Sequence, residues 1–295
     1  MECNMQGFEE IFVDVKRTED FLQVIFDYTE KYEDLKCYRG QGSYEWKNIP
    51  SLLRDDNAQL LDNEKSAIRE LITIHPEEFS KDGTMFDRLV RMQHFGLPTR
   101  LLDVTRNPLI ALYFATDSQD KDGSIICYSV PEEKQKFYDS DTISCLANLS
   151  NLTAKDKDDL FTAFELLVVQ EQKYWIRNFN HDYDVSKRLL HFIRQEKPYF
   201  EPKIDPSDLL GNYYVHPKLN NPRIIAQSGG FMMFGLFYDN TQSGKPILEY
   251  KIRIPAKSKT RLRREIELLG ITDSAIFPDL ERAAKRIRSR YSNFE

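Results

Sequence analysis

The stretch Gln93-His94-Phe95-Gly96-Leu97-Pro98-Thr99-Arg100-Leu101-Leu102-Asp103-Val104-Thr105-Arg106-Asn107-Pro108-Leu109-Ile110-Ala111-Leu112-Tyr113-Phe114-Ala115 decides how the rest of the chain is read. Gly96 and Pro98 stop a preceding helix: glycine takes the left-handed turn that closes a helix, and proline cannot extend one. Thr99 to Val104 then reads as a strand. Asn107-Pro108 opens a helix, with Asn as the cap and Pro at the first helical position, where its missing N–H is not needed. The apolar residues of that helix run almost all the way round it, which predicts deep burial. His94, Thr99, Arg100, Asp103, Thr105 and Arg106 crowd the flanks of this strand and helix. A buried strand does not need so many polar neighbours, so the segment reads as a site.

Working outward, Phe21, Leu22, Ile25, Phe26 and Tyr32 recur at helical spacing, and Thr18 caps a helix over 18–33. Leu35 to Gly40 is a short strand, and helices are predicted over 61–79 and 84–95. Asp122-Gly123 is a turn signal before a β-rich strand over 124–130. Residues 132–195 carry helical apolar faces and little β signal. Strands return at 223–227, 230–237 and 248–254, and helices over 257–269 and 278–291 finish the chain. Helices inserted between separated strands, without regular βαβ alternation, argue for an α+β fold with a mixed or antiparallel sheet core, a helical insertion and C-terminal helices. The expected organisation is a single domain over 1–295, with a core motif region at 35–130, a mainly helical insertion at 132–215, and closing strands and C-terminal helices over 220–295.

The 295 residues are 41% hydrophobic and 30% charged, ordinary proportions for a globular chain with a sizeable core. No apolar run approaches the roughly 20 residues that span a bilayer, and Met1 to Glu10 lacks the basic-then-apolar form of a signal peptide. The expectation is a cytoplasmic protein with no membrane partner. Four scattered cysteines, Cys3, Cys37, Cys127 and Cys145, have no metal-ligand spacing; Cys37 and Cys127 sit in apolar strands and read as buried free thiols. Metal catalysis, a Gly-x-Ser-x-Gly acyl-transfer elbow and a Gly-Lys-Ser/Thr phosphate loop all lack their signatures. Net charge is −6, yet residues 251–290 hold twelve Lys/Arg against five Asp/Glu, and residues 251–264 hold seven basic side chains and no acidic one. That stripe is either an electrostatic footprint for nucleic acid or the solvated face of closing helices.

Individual residues leave alternatives open. Arg39, closing a strand between Tyr38 and Gly40, suits bidentate binding of a phosphate or carboxylate, or an ion pair with Asp103 that ties two segments. Gly40 lets another group approach the backbone. Gln41 reads as a structural amide beside it. His94 is a candidate acid or base, or a cap for helix-end carbonyls. Period-two alternation puts Thr99, Leu101 and Asp103 on one strand face and turns Arg100 to the other, toward the Glu196 segment. Thr105 lies at a helix N-terminus, which favours anions. Arg223 and Gln227 share a face of a predicted strand next to Ser228-Gly229-Gly230.

Taken together, Tyr38-Arg39-Gly40-Gln41, the Gln93–Thr105 run, Asn107-Pro108-Leu109 and Ala111-Leu112-Tyr113-Phe114-Ala115 resemble the FRG domain. That family is named for a Phe/Tyr-Arg-Gly triplet and occurs widely in bacteria and phages. The resemblance covers residues 35–130, and Val104 stands where many members carry Trp. His191–Phe200 and Arg223–Phe231 are similar to the downstream part of full-length members. Where the family occurs implies a role in bacterial defence or phage–host conflict, with a protein partner as one form of it. A more distant resemblance, in the order of the pieces, is to ADP-ribosyltransferases, which assemble an Arg, a Ser/Thr motif and a Glu around NAD. It implies NAD as substrate rather than as a tightly bound cofactor. On that pattern Arg39 holds the phosphates or ribose, Thr99 supports the pocket, and Gln227 stands where the catalytic Glu belongs. Asp103 and Glu196 are the carboxylates able to serve in its place. The alternative expectation is a non-catalytic module that recognises nucleotide or nucleic acid through a basic C-terminal face.

Overall fold

A computed structural model of the chain describes residues 8–11, 15–118, 120–169, 171, 174–236 and 245–279, with 284, 287, 288 and 291. The β-rich runs expected at 35–40, 124–130 and 248–254 form β2 (Leu35–Gln41), β4 (Gly123–Val130) and β8 (Leu248–Ile254), and β1 (Phe8–Ile11) adds parallel to β8. β4 lies antiparallel between the other two, with Tyr38 opposite Cys127 and Cys127 opposite Tyr250. A second group comprises β3 (Leu101–Thr105), β7 (Gly229–Phe234), β6 (Asn212–His216) and β5 (Gln135–Phe137). Among the described residues these strands make one mixed sheet in the order β1-β8-β4-β2-β3-β7-β6-β5. The fold is α+β. Its two halves meet at one residue pair, Tyr38 opposite Thr105, so β2 and β3 separate beyond it.

Alternation then assigns the faces. Tyr38, Ile125, Cys127, Tyr250 and Ile252 pack against α1 (Thr18–Lys31), α6 (Pro108–Ala115) and α12 (Ala256–Leu268). On the same sheet face of the other half, Leu101, Phe231, Met233 and Tyr213 pack against α5 (Met85–His94), α7 (Asp141–Asn148) and α10 (Asp184–Glu196). The reverse face carries Leu102, Val104, Ile126, Tyr128 and Met232. The helical layer is completed by α2 (Ala58–Asp62), α3 (Glu64–Ile74), α4 (Pro76–Phe79), α8 (Ala154–Val168), α9 (Trp175–Asp182), α11 (Pro222–Ala226) and α13 (Asp273–Ile276). Two helical groups on one sheet face, over a sheet that splits between them, leave a cleft along the split.

The helix stop and the helix start of the decisive stretch form as read. Leu97 N–H donates to Met92 O at 3.0 Å and Gly96 takes φ +93°, closing α5 through a left-handed glycine. Asn107 Oδ1 accepts the Leu109 N–H at 3.0 Å and caps α6. Helix α6 lies unusually close to the sheet: a Cβ on Gly40 would fall 1.8 Å from Ala111 O, and one on Gly123 2.2 Å from Ala115 O. Gly40 therefore admits a neighbouring backbone, and that backbone is a helix.

Four expectations change. Residues 223–227 are helix α11 and a cap, not a strand, because Asn221-Pro222 is the same start signal as Asn107-Pro108, with Asn221 Oδ1 accepting the Arg223 N–H at 2.9 Å. The helix predicted over 61–79 is three pieces, broken at Asn63 and at His75, which precedes Pro76 and takes φ −128°, ψ 58°. Strand β5 and all but the last residue of β6 fall within 132–215; Asn212 to Val215 are all buried, so β6 shows no alternation to read. Thr99 and Arg100 precede β3 rather than forming its start. The helix predicted over 278–291 falls largely outside the described residues. Cys37, Cys127 and Cys145 are buried free thiols, and burial raises all three. Among the described residues no helix is long and apolar enough to cross a membrane.

Candidate functional site

Where β2 and β3 separate, a cleft of about 180 Å³ opens between Tyr38, Arg39 and Gly40 on one side and Asp103, Val104 and Thr105 on the other, closed by Phe114, Arg223 and Gln227. Arg39 bridges the split. Its Nη1 donates to the Asp103 carbonyl oxygen at 2.7 Å, which ties the two segments through backbone rather than through an ion pair with the carboxylate. Its Nε is shielded from solvent and has no hydrogen-bond partner. Burial lowers the guanidinium's pKa, while Tyr128 and Asp103 raise it. An arginine starts high enough to stay charged at neutral pH, so this is a cation with unmet hydrogen-bonding capacity at a cleft wall.

The Asp103 carboxylate is exposed and is oriented by a short chain of side chains. Leu101 N–H donates to Thr99 Oγ1 at 3.2 Å, Thr99 Oγ1 donates to Gln93 Oε1 at 2.5 Å, and Gln93 Nε2 donates to Asp103 Oδ2 at 2.8 Å. Thr99 lies ahead of β3 rather than on its face, and it is linked to Asp103 through Gln93. Thr99 is a positioning residue here, almost fully buried, rather than a wall of the cleft. Gln93 lay in the decisive stretch unassigned. Its place at the last turn of an amphipathic helix, ten residues before Asp103, was the available signal.

Across the cleft, Arg223 sits over the Phe277 ring at 5.2 Å, and Gln227 Nε2 donates to Ile276 O at 3.3 Å. The two share a face because they stand four apart around the end of a helix. Thr105 Oγ1 donates to Gln227 O at 2.6 Å and accepts from Asn107 N–H at 3.0 Å, so it fastens the strand exit to the loop after α11. Ser228, next in that loop, takes φ +45° and its carbonyl accepts the Arg106 N–H at 3.0 Å. Tyr38 is buried beneath, its hydroxyl pushed up to about 12 by burial.

A smaller chamber continues past Asp103 along Gln93, Arg223, Gln227 and Phe231 to His94. His94 Nε2 lies 3.8 Å from Asp279 and has no hydrogen-bond partner among the described residues. The helix-end carbonyls it was a candidate to cap are met by backbone N–H groups instead, as in the Phe95 N–H to Arg91 O bond of 3.1 Å.

Three expected residues lie elsewhere. Arg100 is 2% exposed and grips Glu64 with Nε and Nη2 at 2.8–3.0 Å, with Nη1 on Gly235 O at 3.2 Å; a side chain so enclosed reaches no ligand. Gln41 is buried against Ser124 and the Lys47 carbonyl. Glu196 Oε2 accepts the Met85 N–H at 2.6 Å and so fastens the first turn of α5, and burial raises its carboxyl pKa. Sequence could not separate these from cleft residues, since each is a polar side chain beside an apolar run. The basic stretch is also largely engaged. Lys251 donates to Tyr44 O, Arg253 pairs with Asp122, buried Lys259 donates to Gly42 O and Ser118 O, Arg261 pairs with Glu265, and Arg263 stacks 3.6 Å over Tyr113.

Residues 35–124 match the family model of the FRG domain. The chain contains an FRG domain. No curated protein and no solved structure matches the chain. The matched FRG segment runs from the start of β2 to the start of β4 and supplies Tyr38, Arg39, Gly40, Gln93, Asp103, Thr105 and Phe114. Arg223, Gln227 and Phe231 come from outside it. The cleft is thus closed jointly by the FRG domain and the later part of the chain.

Proposed function

We propose that this cleft binds an anionic nucleotide, that NAD is its substrate, and that the reaction is ADP-ribosyl transfer. The observation that carries the reading is Arg39: a half-buried cation whose shielded Nε has no hydrogen-bond partner, beside an exposed and oriented carboxylate and opposite Arg223. A shielded N–H without an acceptor on a partly desolvated cation is costly, and a bound phosphate offsets that cost with charge-assisted hydrogen bonds. As the C1′–nicotinamide bond breaks, positive charge develops at the ribose C1′ and its ring oxygen and a fixed carboxylate stabilises it; a nucleophilic acceptor, or water where no acceptor is present, forms the new bond at C1′ and gives up its proton. Asp103 has the right chemistry and the right setting, held by Gln93 and Thr99. Gln227 takes the part of a cleft wall, its amide nitrogen engaged by Ile276. The nucleic-acid reading has less support, because five of the seven basic side chains in 251–264 are held by contacts within the chain.

Calorimetric titration with NAD, together with chromatographic detection of nicotinamide, tests this. Wild-type protein binds NAD; Arg39→Ala weakens binding about 30-fold or more, equivalent to roughly 2 kcal/mol for a lost charge-assisted contact. Asp103→Asn leaves NAD affinity within about threefold and slows nicotinamide release about 100-fold, the scale on which one electrostatic stabiliser acts. Absence of NAD binding by the wild type overturns the reading. So does an Arg39→Ala protein that melts normally and binds NAD unchanged.

A further inference from the structure

Among the described residues, the helical face of the sheet holds two buried cores that share no residue. One, around Leu101, Phe231 and Met233, belongs to the lobe built on β3, β7, β6 and β5; the other, around Tyr38, Cys127 and Ile252, belongs to the lobe built on β1, β8, β4 and β2. On the reverse face a single core spans both lobes, with Cys37, Ile126 and Tyr128 grouped with Leu102, Val104 and Met232. The lobes thus have a continuous backing on one side and a cleft on the other, and they meet in register at Tyr38 and Thr105. Close-packed cores move as rigid bodies, so displacement concentrates where few contacts cross. This is the geometry of a hinge.

Residues 272–279 cross the open side. Thr272 caps α13 by accepting the Ala275 N–H at 3.2 Å, and the chain runs on through Ile276 and Phe277 to Asp279. The segment is rooted in the lobe of β2 and β4. Ile276 and Phe277 are buried in that lobe's core, the Phe277 ring lies edge-on to Phe114 at 5.9 Å, and Tyr113 Oη donates to Asp273 Oδ1 at 2.9 Å. Its contacts with the other lobe are looser. Arg223 lies over the Phe277 ring at 5.2 Å, close to the ~6 Å reach of that attraction. Gln227 Nε2 reaches Ile276 O at 3.3 Å, and His94 Nε2 stands 3.8 Å from Asp279, beyond hydrogen-bond range. A strap anchored firmly on one side and lightly on the other parts on the light side.

The cleft beneath the strap holds about 180 Å³, less than the ~300–1,000 Å³ of most small-molecule sites, so a ligand of ordinary size enters only if the lobes separate. We propose that the lobes swing about the Tyr38–Thr105 seam, and that residues 272–279 are a latch holding the cleft shut through Arg223 and Gln227. The consequence for ligand entry rests on reading the cleft as the binding site; the motion itself does not. The Arg39 bond to Asp103 O lies beside the seam, where displacement is smallest, and is kept. While latched, Arg223 is occupied by the Phe277 ring. Unlatched, it is free to turn to an anion.

Double electron–electron resonance on the full chain, without ligand, tests the motion. Nitroxide labels on the exposed positions Thr162→Cys in α8 and Leu268→Cys in α12 place one probe on each lobe. A Cys3→Ser background leaves Cys37, Cys127 and Cys145, all buried. With the latch intact, one distance dominates, and a second, displaced distance holds no more than about a tenth of the population, the scale of a minor state. Arg223→Ala combined with Gln227→Ala raises that second population about threefold or more. Phe277→Leu, which keeps the apolar anchor and removes the ring, shifts it in the same direction. Superimposable distributions in the wild type and the Phe277→Leu protein overturn the latch, as does a folded double variant that keeps the wild-type distribution. Because the labels report without ligand, failure of NAD to bind overturns the nucleotide reading alone, and an unmoved distribution overturns the latch alone.

Discussion

Gly40→Ala is expected to lose about 3 kcal/mol or more of folding stability, read as a large drop in the urea midpoint or as loss of folded protein. The new methyl group would lie 1.8 Å from Ala111 O and 2.8 Å from Ala115 N, both backbone atoms of α6, so no side-chain rotation relieves the contact. The helix must lift from the sheet, and with it Ile110, Leu112 and Tyr113, which are buried beneath α1 and α12. Overpacking costs about 1–3 kcal/mol where flexible groups yield, and more where they cannot. Against the ~5–15 kcal/mol of a typical domain, that is a large fraction. Gly83→Ala, whose methyl meets nothing nearer than Asp87 Oδ2 at 4.0 Å, is the control and shifts stability by no more than about 0.5 kcal/mol. Equal midpoints for Gly40→Ala and wild type would show that α6 does not sit as close to β2 as described.

Glu64→Ala carries the second large effect. Glu64 is 3% exposed and holds both Arg100 and Lys157, at 2.8 Å and 2.6 Å, joining α3, the segment before β3 and α8. Removing the carboxylate strands two cations in the interior, which costs about 3–5 kcal/mol. Replacing all three, as Glu64→Leu with Arg100→Met and Lys157→Met, removes the charges together and is expected to recover most of that loss, since apolar groups of similar volume often serve as well. The pH dependence has a definite sign. Burial pushes the Glu64 carboxyl up, but the Arg100 and Lys157 charges and hydrogen bonds outweigh it and hold its pKa below the ordinary value. A depressed carboxyl contributes stability above its unfolded pKa of about 4.3 and loses it as pH falls through the folded value. The urea midpoint of the wild type should therefore fall more steeply below about pH 4 than that of the triple variant. Identical slopes would show that the buried carboxylate makes no such contribution.

The fold was most legible where local chemistry and tertiary need agreed. Gly96, Pro98 and Asn107-Pro108 punctuate the backbone by themselves, so α5, β3 and α6 fall within a residue or two of where the sequence puts them. Asn221-Pro222 carried the same start signal, but the apolar run Ile224-Ile225-Ala226 beside Gly229-Gly230 reads equally as strand, and helix α11 is only five residues long. Strand β6 was hidden because both its faces are buried, which erases the two-residue alternation that marks a strand. The candidate site divides in the same way. Arg39, Asp103, Thr105, Arg223 and Gln227 were legible as polar residues at strand or helix ends, and they do converge. Arg100 and Glu196 had the same local look, and partners 36 and 111 residues away, Glu64 and Met85, take them out of the cleft.

The sequence by itself determined the elements whose ends are written in glycine, proline and asparagine, the α+β class, and the residues of the FRG segment that stand at those ends. Tertiary structure alone decided which of them face one another. The sheet splits at Tyr38 and Thr105, a guanidinium spans the split, and a helix rests on two glycines from neighbouring strands. The physical reason is range. Backbone preferences act over a few residues, whereas the pairing of β2 with β3 and the enclosure of Arg100 depend on contacts between segments far apart in the chain, where one arginine becomes a buried strut and another spans the split of the sheet.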